Sequence, residues 1–425
     1  MTPSKFPPSE GLSVRRDALK TRAVPLFLSF AFAYFLSALV RAVTATLAPQ
    51  FSAELNLGSG ELGLLAGAYF FGFAVMQLPL GSALDRFGPR RVLIGFLSVA
   101  VLGCAAFAVA RSFAGLTLAR GLIGMGVSAC LMAPMTLFRR TFSPVAQMRA
   151  NSWMLMAGSL GMVASTLPVQ WLLPWLGWRG LFWLVAALVG LALLAIVWQV
   201  PEDGPALQHP GTEPQGYLEV FRHPTFRRFA PMGFFQYGGL VAVQSLWAGP
   251  WLVRVCGWTP AQSAQGLFGV NLGMLLAFMA WGGVLPRLYA RGWTAQRLVA
   301  LGMPFSLAAL LLAILLGPGA TAWAWGLFCV TSTFVSLSQP AIGQAFSAHL
   351  AGRALSAYNL VIFSGVFTLQ WGIGLAIDLL RARGWSDLSA FRGAFALFAV
   401  CCTLSYLWFL CRYDVAMRAK PKISS

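Results

Sequence analysis

Two arginines stand inside long apolar runs, and they are the residues best placed to do chemistry. Arg41 lies about five residues past the middle of the run 24–48, and Arg120 about six before the middle of the run 113–138. An apolar run of about twenty residues crosses the hydrocarbon of a bilayer as a helix. These two runs cross in opposite directions, so at about 1.5 Å per residue both positions fall roughly 7 to 9 Å to the same side of the bilayer centre. A buried guanidinium costs several kcal/mol unless it is paired or faces water. No aspartate or glutamate lies near the centre of any run, and the nearest, Glu61 and Asp378, each lie near an end. Two cations without an internal carboxylate make a two-pronged receptor for an anion. The structural alternative is that each arginine binds backbone carbonyls or reaches Glu61 or Asp378.

The elements that position these residues follow from composition. With 425 residues, 58% hydrophobic and 10% charged, and a mean hydropathy of +0.73, the chain has too little polar surface for a water-soluble globule. It reads as a polytopic membrane protein whose partner is the lipid bilayer. A net charge of +18 would point to nucleic acid in a soluble chain, but here the basic residues lie in loops between apolar runs, so nucleic-acid binding is not supported. The seven cysteines show no metal-ligand spacing and serve as small apolar residues. There is no G-x-G-x-x-G after a strand, no phosphate-binding loop, no zinc spacing and no nucleophile with a base beside it. The sequence therefore implies neither an enzyme nor a metal or cofactor.

Apolar runs recur at 24–48, 60–82, 92–110, 113–138, 150–173, 178–200, 229–251, 263–286, 296–316, 320–345, 355–379 and 391–412. These imply an all-α fold of twelve spans. The polar stretch 201–228 reads as a linker between two six-helix halves, 24–200 and 229–412, flanked by tails at 1–23 and 413–425. An internal repeat supports the division: Leu57 to Glu61, before span two, lines up at an offset of 201 with Trp258 to Gln262, before span eight. The same offset sets Gly81 on Gly282 and Asp85 on Pro286. Parallel halves related by an axis along the membrane normal would place a substrate site at mid-depth between them. With the N-terminus in the cytoplasm, 22 of the thirty basic residues fall on the cytoplasmic side and six on the other, Arg41 and Arg120 being within spans. The positive-inside rule therefore puts both termini and the linker in the cytoplasm. Arginines outnumber lysines 26 to 4, and with the abundant alanine and glycine this suggests a bacterial inner membrane.

Between spans two and three runs Gly81-Ser82-Ala83-Leu84-Asp85-Arg86-Phe87-Gly88-Pro89-Arg90-Arg91-Val92-Leu93. It resembles the corresponding loop of the major facilitator superfamily, whose pattern is Gly-x-Leu-Ala-Asp-Arg-x-Gly-Arg-Lys-x-x-Leu. Gly81, Asp85, Arg86, Gly88, Arg90 and Leu93 match in register, while Ala83 and Pro89 depart. Arg120-Gly121-Leu122-Ile123-Gly124-Met125-Gly126 resembles the fourth-helix arginine motif, and Trp175 to Phe182 resembles the junction between helices five and six. The two arginines together with the hinge are most similar to the anion:cation symporter branch, whose members carry sugar acids and aromatic carboxylates. In proton-coupled members an acid often precedes the first arginine and another follows the second by seven positions. Here Val40 and Val127 stand there.

The resemblance implies a secondary transporter of a small organic anion working by alternating access. Asp85 would gate it, and protons or another ion would couple through Glu61 or Asp378. Gln236, Tyr237, Gln244 and Gln339 fall on spans seven and ten, which line the cavity in that family, and complete the substrate-binding candidates. The alternative is an exporter of drugs, siderophores or other metabolites. Against it, Gly158-Ser159-Leu160-Gly161 in span five is followed by no Gly-Pro pair of the antiporter pattern. No long soluble domain exists that would favour a sensor, and a monomer is expected.

Overall fold

The computed structural model describes residues 23–202 and 215–418. The two tails and the middle of the expected linker therefore lie largely outside the described residues. Those that are described form helices, with no β-strand among them. The fold is all-α, with twelve spans in two six-helix halves.

Eight of the described helices are long and apolar enough to cross a membrane unaided. They are spans one (Val24–Leu55), three (Pro89–Val109), four (Phe113–Arg139), six (within Leu167–Gln199), eight (Pro260–Ala290), nine (Ala295–Gly319), eleven (Leu350–Ala382) and twelve (Asp387–Arg412). The other four spans are broken, and in spans two, five and ten proline accounts for where. Span two joins Ser59–Val75 to Gln77–Phe87 at a 44° bend, because Pro79 has no N–H for the Val75 carbonyl. Span five runs through Pro144–Ala164 into the first turns of Leu167–Gln199, and Pro168 likewise leaves the Ala164 carbonyl without its helical donor. Gly177, at φ 60°, then separates span five from span six inside that helix.

Span seven is assembled from Pro224–Met232, Gly238–Ala242 and Ala248–Arg254, joined by the π turns Gly233–Tyr237 and Val243–Trp247. Span ten joins Ala322–Ser332 to Ser338–Gly343 through a 3₁₀ turn, Thr333–Leu337. Pro340 withholds a donor from Ser336 there. Hydroxyls compensate nearby, Thr333 donating to the Val330 carbonyl at 2.6 Å and Ser336 to the Thr333 carbonyl at 2.7 Å. Interrupted helices survive in hydrocarbon only where such local bonds satisfy the freed backbone.

The internal repeat has a structural counterpart at the same offset. Glu61 accepts a hydrogen bond from the Gly58 amide at 3.0 Å, and 201 residues later Gln262 accepts from the Thr259 amide at 2.9 Å. Each side chain reaches back to close the first turn of its span. In the second half Thr259 returns the bond, accepting from the Gln262 amide at 3.2 Å, whereas Gly58 has no side chain with which to do so.

The halves meet along spans two and eleven, which pack without side chains at their closest points. A Cβ added to Gly63 would lie 2.2 Å from the Gln370 carbonyl oxygen, and one added to Gly374 would lie 2.2 Å from that of Ser59. Small residues let membrane helices touch backbone to backbone, where dispersion contacts take the place of a hydrophobic driving force. Gly63→Val and Gly374→Val should each force these spans apart, at a cost of about 1 to 3 kcal/mol. Thermal melting of purified protein in detergent checks this, and parental melting in both variants would rule out the close packing.

Candidate functional site

Arg120 is 1% exposed. Its Nη2 donates to the Val40 carbonyl at 2.9 Å and to the Thr44 hydroxyl, both on span one. The guanidinium carbon sits 5.3 Å from the centre of the Tyr69 ring, and Nη1 has no hydrogen-bond partner. Arg120 thus ties spans four and one together over the face of a span-two tyrosine.

Arg41 is half-buried and lies where the two halves meet. Its guanidinium is 5.6 Å from the Phe73 ring centre, in span two, and 5.9 Å from that of Phe363, in span eleven. It lies within electrostatic reach of Tyr34 on its own span, Tyr69 on span two and Tyr237 on span seven. Nε has no hydrogen-bond partner. Among the described residues no carboxylate pairs with either arginine.

Both arginines lie near Tyr69, Arg120 over its ring and Arg41 within its electrostatic reach. Helical side chains tilt toward their own N-terminus. Spans one and four run in opposite directions, so two guanidiniums on positions of equal depth diverge. Arg41 hangs back toward Tyr34, two turns earlier on its helix, while Arg120 reaches Val40 and Thr44.

Among the polar candidates of the second half, Tyr237 lies within electrostatic reach of Arg41. It ends the π turn Gly233–Tyr237. Gln236 is buried and donates to the Cys402 carbonyl at 3.0 Å. Gln244 donates to Asn271 at 2.9 Å, and Gln339 to Asn359 at 3.0 Å. Gln370 donates to the Ser245 hydroxyl at 2.9 Å. These amides hold helices to one another. Sequence reasoning passed over Tyr34, Tyr69, Phe73 and Phe363, although Tyr34 stands seven residues before Arg41 and so on the same helical face.

At the face with few arginines, Asp378 joins the halves. It accepts from the Ser59 amide at 3.0 Å and the Gly60 amide at 2.6 Å, at the N-terminus of span two. Orphan amides and the positive end of the helix dipole both favour a carboxylate there. Arg381 lies 3.7 Å from Asp378, holds Asp387 at 2.7 Å and donates to the Ser59 hydroxyl at 2.9 Å. In the same region Glu54 receives Trp178 Nε1 at 2.5 Å and Arg179, tying spans one and six.

At the opposite face lies the charged hinge. Gly88 takes φ 81° and is the single residue between the end of Gln77–Phe87 and the start of Pro89–Val109. Gly81 is half-buried, with open space where a Cβ would stand. Arg86 lies over the Phe87 ring at 5.1 Å. Arg90 donates to the Val197 carbonyl at 2.9 Å. Asp85 is exposed, and it acts with Arg353 on Tyr217 of the helix Gln215–Arg222. Burial raises the Tyr217 phenol above its ordinary value, Arg353 pulling it down and Asp85 pushing it up.

The sequence signature of the Major Facilitator Superfamily matches residues 30–370. The chain belongs to this superfamily. It is similar to a hexuronate transporter of Escherichia coli K12, with 27% identity over 387 residues covering 85% of this chain and 82% of the relative. A galacturonate transporter of Dickeya chrysanthemi is 25% identical over 71% of this chain and 89% of its own length. Among solved structures, the inward-facing, unoccupied bacterial homologue of the human lysosomal transporter Spinster gives a TM-score of 0.73 at 18% identity, covering 95% of this chain and 99% of that one. The D-xylose-proton symporter gives 0.72 at 15% identity, covering 91% and 97%. Both likenesses concern the fold.

Arg120→Lys should lower the melting temperature with no ligand present, since a single ammonium cannot hold Val40 and Thr44 and also cover Tyr69. Parental melting of Arg120→Lys would show that these bonds contribute nothing. Asp378→Asn should loosen the join between spans two and eleven by weakening two charge-assisted bonds. A lower melting temperature without ligand is the expected readout, and parental melting of Asp378→Asn would count against the join.

Proposed function

We propose that the protein is a secondary active transporter that carries a small organic anion, carboxylate-like in chemistry, by alternating access. The observation that carries this reading is Arg41: a half-buried guanidinium between the two halves, ringed by tyrosines and phenylalanines, with no carboxylate partner among the described residues. Charge in so apolar a setting favours an anion that can take two parallel N–H bonds. The relatives support it, since their names give hexuronate, galacturonate and, over 44% of this chain, cis,cis-muconate as cargo. All are carboxylates.

Arg41 receives the carboxylate in this reading, and Arg120 braces span one and Tyr69 behind it. The second half contributes Phe363 and Tyr237, so a bound anion is touched from both halves and its affinity changes as one rocks against the other. Asp378 holds the arginine-poor end closed. The orientation is N-terminus inside, in a bacterial inner membrane, and the working unit is the monomer. Coupling to protons would rest on Glu61, on Asp378 or on the substrate's own acid, because neither Val40 nor Val127 can carry one.

Uptake into proteoliposomes tests the reading. The panel is galacturonate, glucuronate, cis,cis-muconate, benzoate, an amino acid and a hydrophobic cation, each with and without a pH gradient. Carboxylate uptake with weak dependence on the gradient is expected. Transport of the cation alone would replace this reading with the exporter one. A desolvated charge-assisted bond contributes about 1.5 to 3 kcal/mol, so Arg41→Lys should weaken binding of the transported carboxylate by about ten- to a hundredfold. Ligand-induced thermal stabilisation measures that affinity, and a lysine variant that binds as the parent does would remove Arg41 from the site.

A further inference from the structure

Phe363 of span eleven stands beside Arg41, its ring centre 5.9 Å from the guanidinium carbon, and both residues are half-buried. Part of the ring is therefore accessible next to the arginine. The first half backs it: Phe73 lies 4.4 Å away at 54°, and Phe70 stacks at 6.2 Å and 16°, both of them buried. The backbone is fixed as well as the ring. A Cβ on Gly365 would lie 2.2 Å from the Phe234 carbonyl oxygen, so span eleven meets span seven backbone to backbone two residues past Phe363.

Guanidinium N–H groups point outward in the plane of the group, so a carboxylate pairs with its edge. The body of the cargo is then carried beside the rings that flank Arg41. A flat body stacked on or edge-on to an aromatic face gains more than its buried area alone supplies. A body studded with hydroxyls needs partners for them, since a hydroxyl buried without one weakens binding. The amides that could supply partners are engaged with neighbouring helices. Gln236 donates to Cys402 and Ser405 of span twelve, Gln244 to Asn271 of span eight and Gln339 to Asn359 of span eleven. The Tyr69 hydroxyl donates to the Ser37 carbonyl at 3.3 Å.

We infer that Phe363 is a specificity-determining residue: with Phe73 behind it, its ring selects a carboxylate borne on a flat, apolar body, an arene or a conjugated diene, over a polyhydroxylated sugar acid. This rests on the carboxylate reading above. Arg41 supplies the charge recognition that all such anions share, and Phe363 ranks them by what the charge is attached to. Because Phe363 belongs to the second half and Arg41 to the first, one cargo is read from both.

The experiment measures ligand-induced thermal stabilisation of the purified full chain. Its probes are benzoate and cis,cis-muconate, their saturated counterparts cyclohexanecarboxylate and adipate, and the hexuronates galacturonate and glucuronate. The parent should bind the better of the two unsaturated probes at least about tenfold more tightly than either hexuronate. It should also bind that probe about three- to tenfold more tightly than its saturated counterpart, which carries the same charge without the flat face. Phe363→Leu keeps an apolar side chain and removes the ring, so the affinities of the two counterparts should converge while hexuronate binding stays parental. A parent that binds a hexuronate as tightly as the unsaturated probes, or a leucine variant that loses affinity for every carboxylate alike, would overturn the assignment and leave the carboxylate reading intact. If Phe363→Leu does not fold, the parent's ranking of the six probes decides by itself. A parent stabilised by none of the six would overturn the carboxylate reading, and this assignment with it.

Discussion

A guanidinium inside hydrocarbon has to be satisfied by whatever lies within its reach, and this constraint organises the first half of the molecule. Arg120 meets it by donating to the Val40 carbonyl and the Thr44 hydroxyl of span one. A helix interior rarely has such acceptors free, since its carbonyls already bond along the chain. A carbonyl oxygen has two lone pairs, however, and Val40 uses the second. Spans one and four are thereby set at fixed depth relative to each other, with Tyr69 of span two clasped between them. Gly124 permits the approach, because any side chain there would strike the Tyr69 backbone. Arg41, one residue after Val40, inherits its position from that arrangement.

The join between the halves is of a different kind. Spans two and eleven touch through glycine faces, and those contacts carry no polar bonds that must break when the surfaces slide or part. Polar bonds stand toward one end, on Asp378 and Arg381. A carboxylate at a helix N-terminus gains from both the amides and the dipole. Near the membrane surface the amides it leaves can still find water. Apolar faces in the middle with charge at the rim suit two bodies that must separate at one end at a time, and the proposed transport cycle demands that of them.

Much of this fold could be read from the sequence because the bilayer simplifies the code. Hydropathy marks twelve apolar runs in the sequence, although only eight of the described helices are long and apolar enough to cross unbroken. Even the repeat at an offset of 201 reappears as paired first-turn bonds at Gly58 with Glu61 and Thr259 with Gln262. The site was legible only as far as depth. Counting residues places Arg41 and Arg120 at one level, but level is a property of the backbone, and the direction of each side chain depends on which way its helix runs. Nor does hydropathy distinguish a tyrosine beside an arginine from one in the interfacial belt, so Tyr34 and Tyr69 passed unnoticed. The amides answer to a constraint of their own. Gln236, Gln244 and Gln339 have the right chemistry for a ligand, yet an amide in hydrocarbon needs a partner whether or not substrate is present, and each has found one on a neighbouring helix.

The missing acids beside the arginines bear on how the proposed cycle would close. Where a buried arginine has a carboxylate neighbour, the empty protein is already neutral there, and substrate must displace that partner or see it protonated. Here Val40 and Val127 provide no such charge, and the rings of Phe73 and Phe363 lie beside Arg41 instead. Enclosing an uncompensated cation between two apolar halves costs several kcal/mol, whereas enclosing a cation with its carboxylate does not carry that full penalty. The anion itself then supplies the neutrality that lets the halves close. On the proposed reading, the carrier closes more readily loaded than empty, and what distinguishes the two conditions is the substrate's charge rather than a proton on the protein.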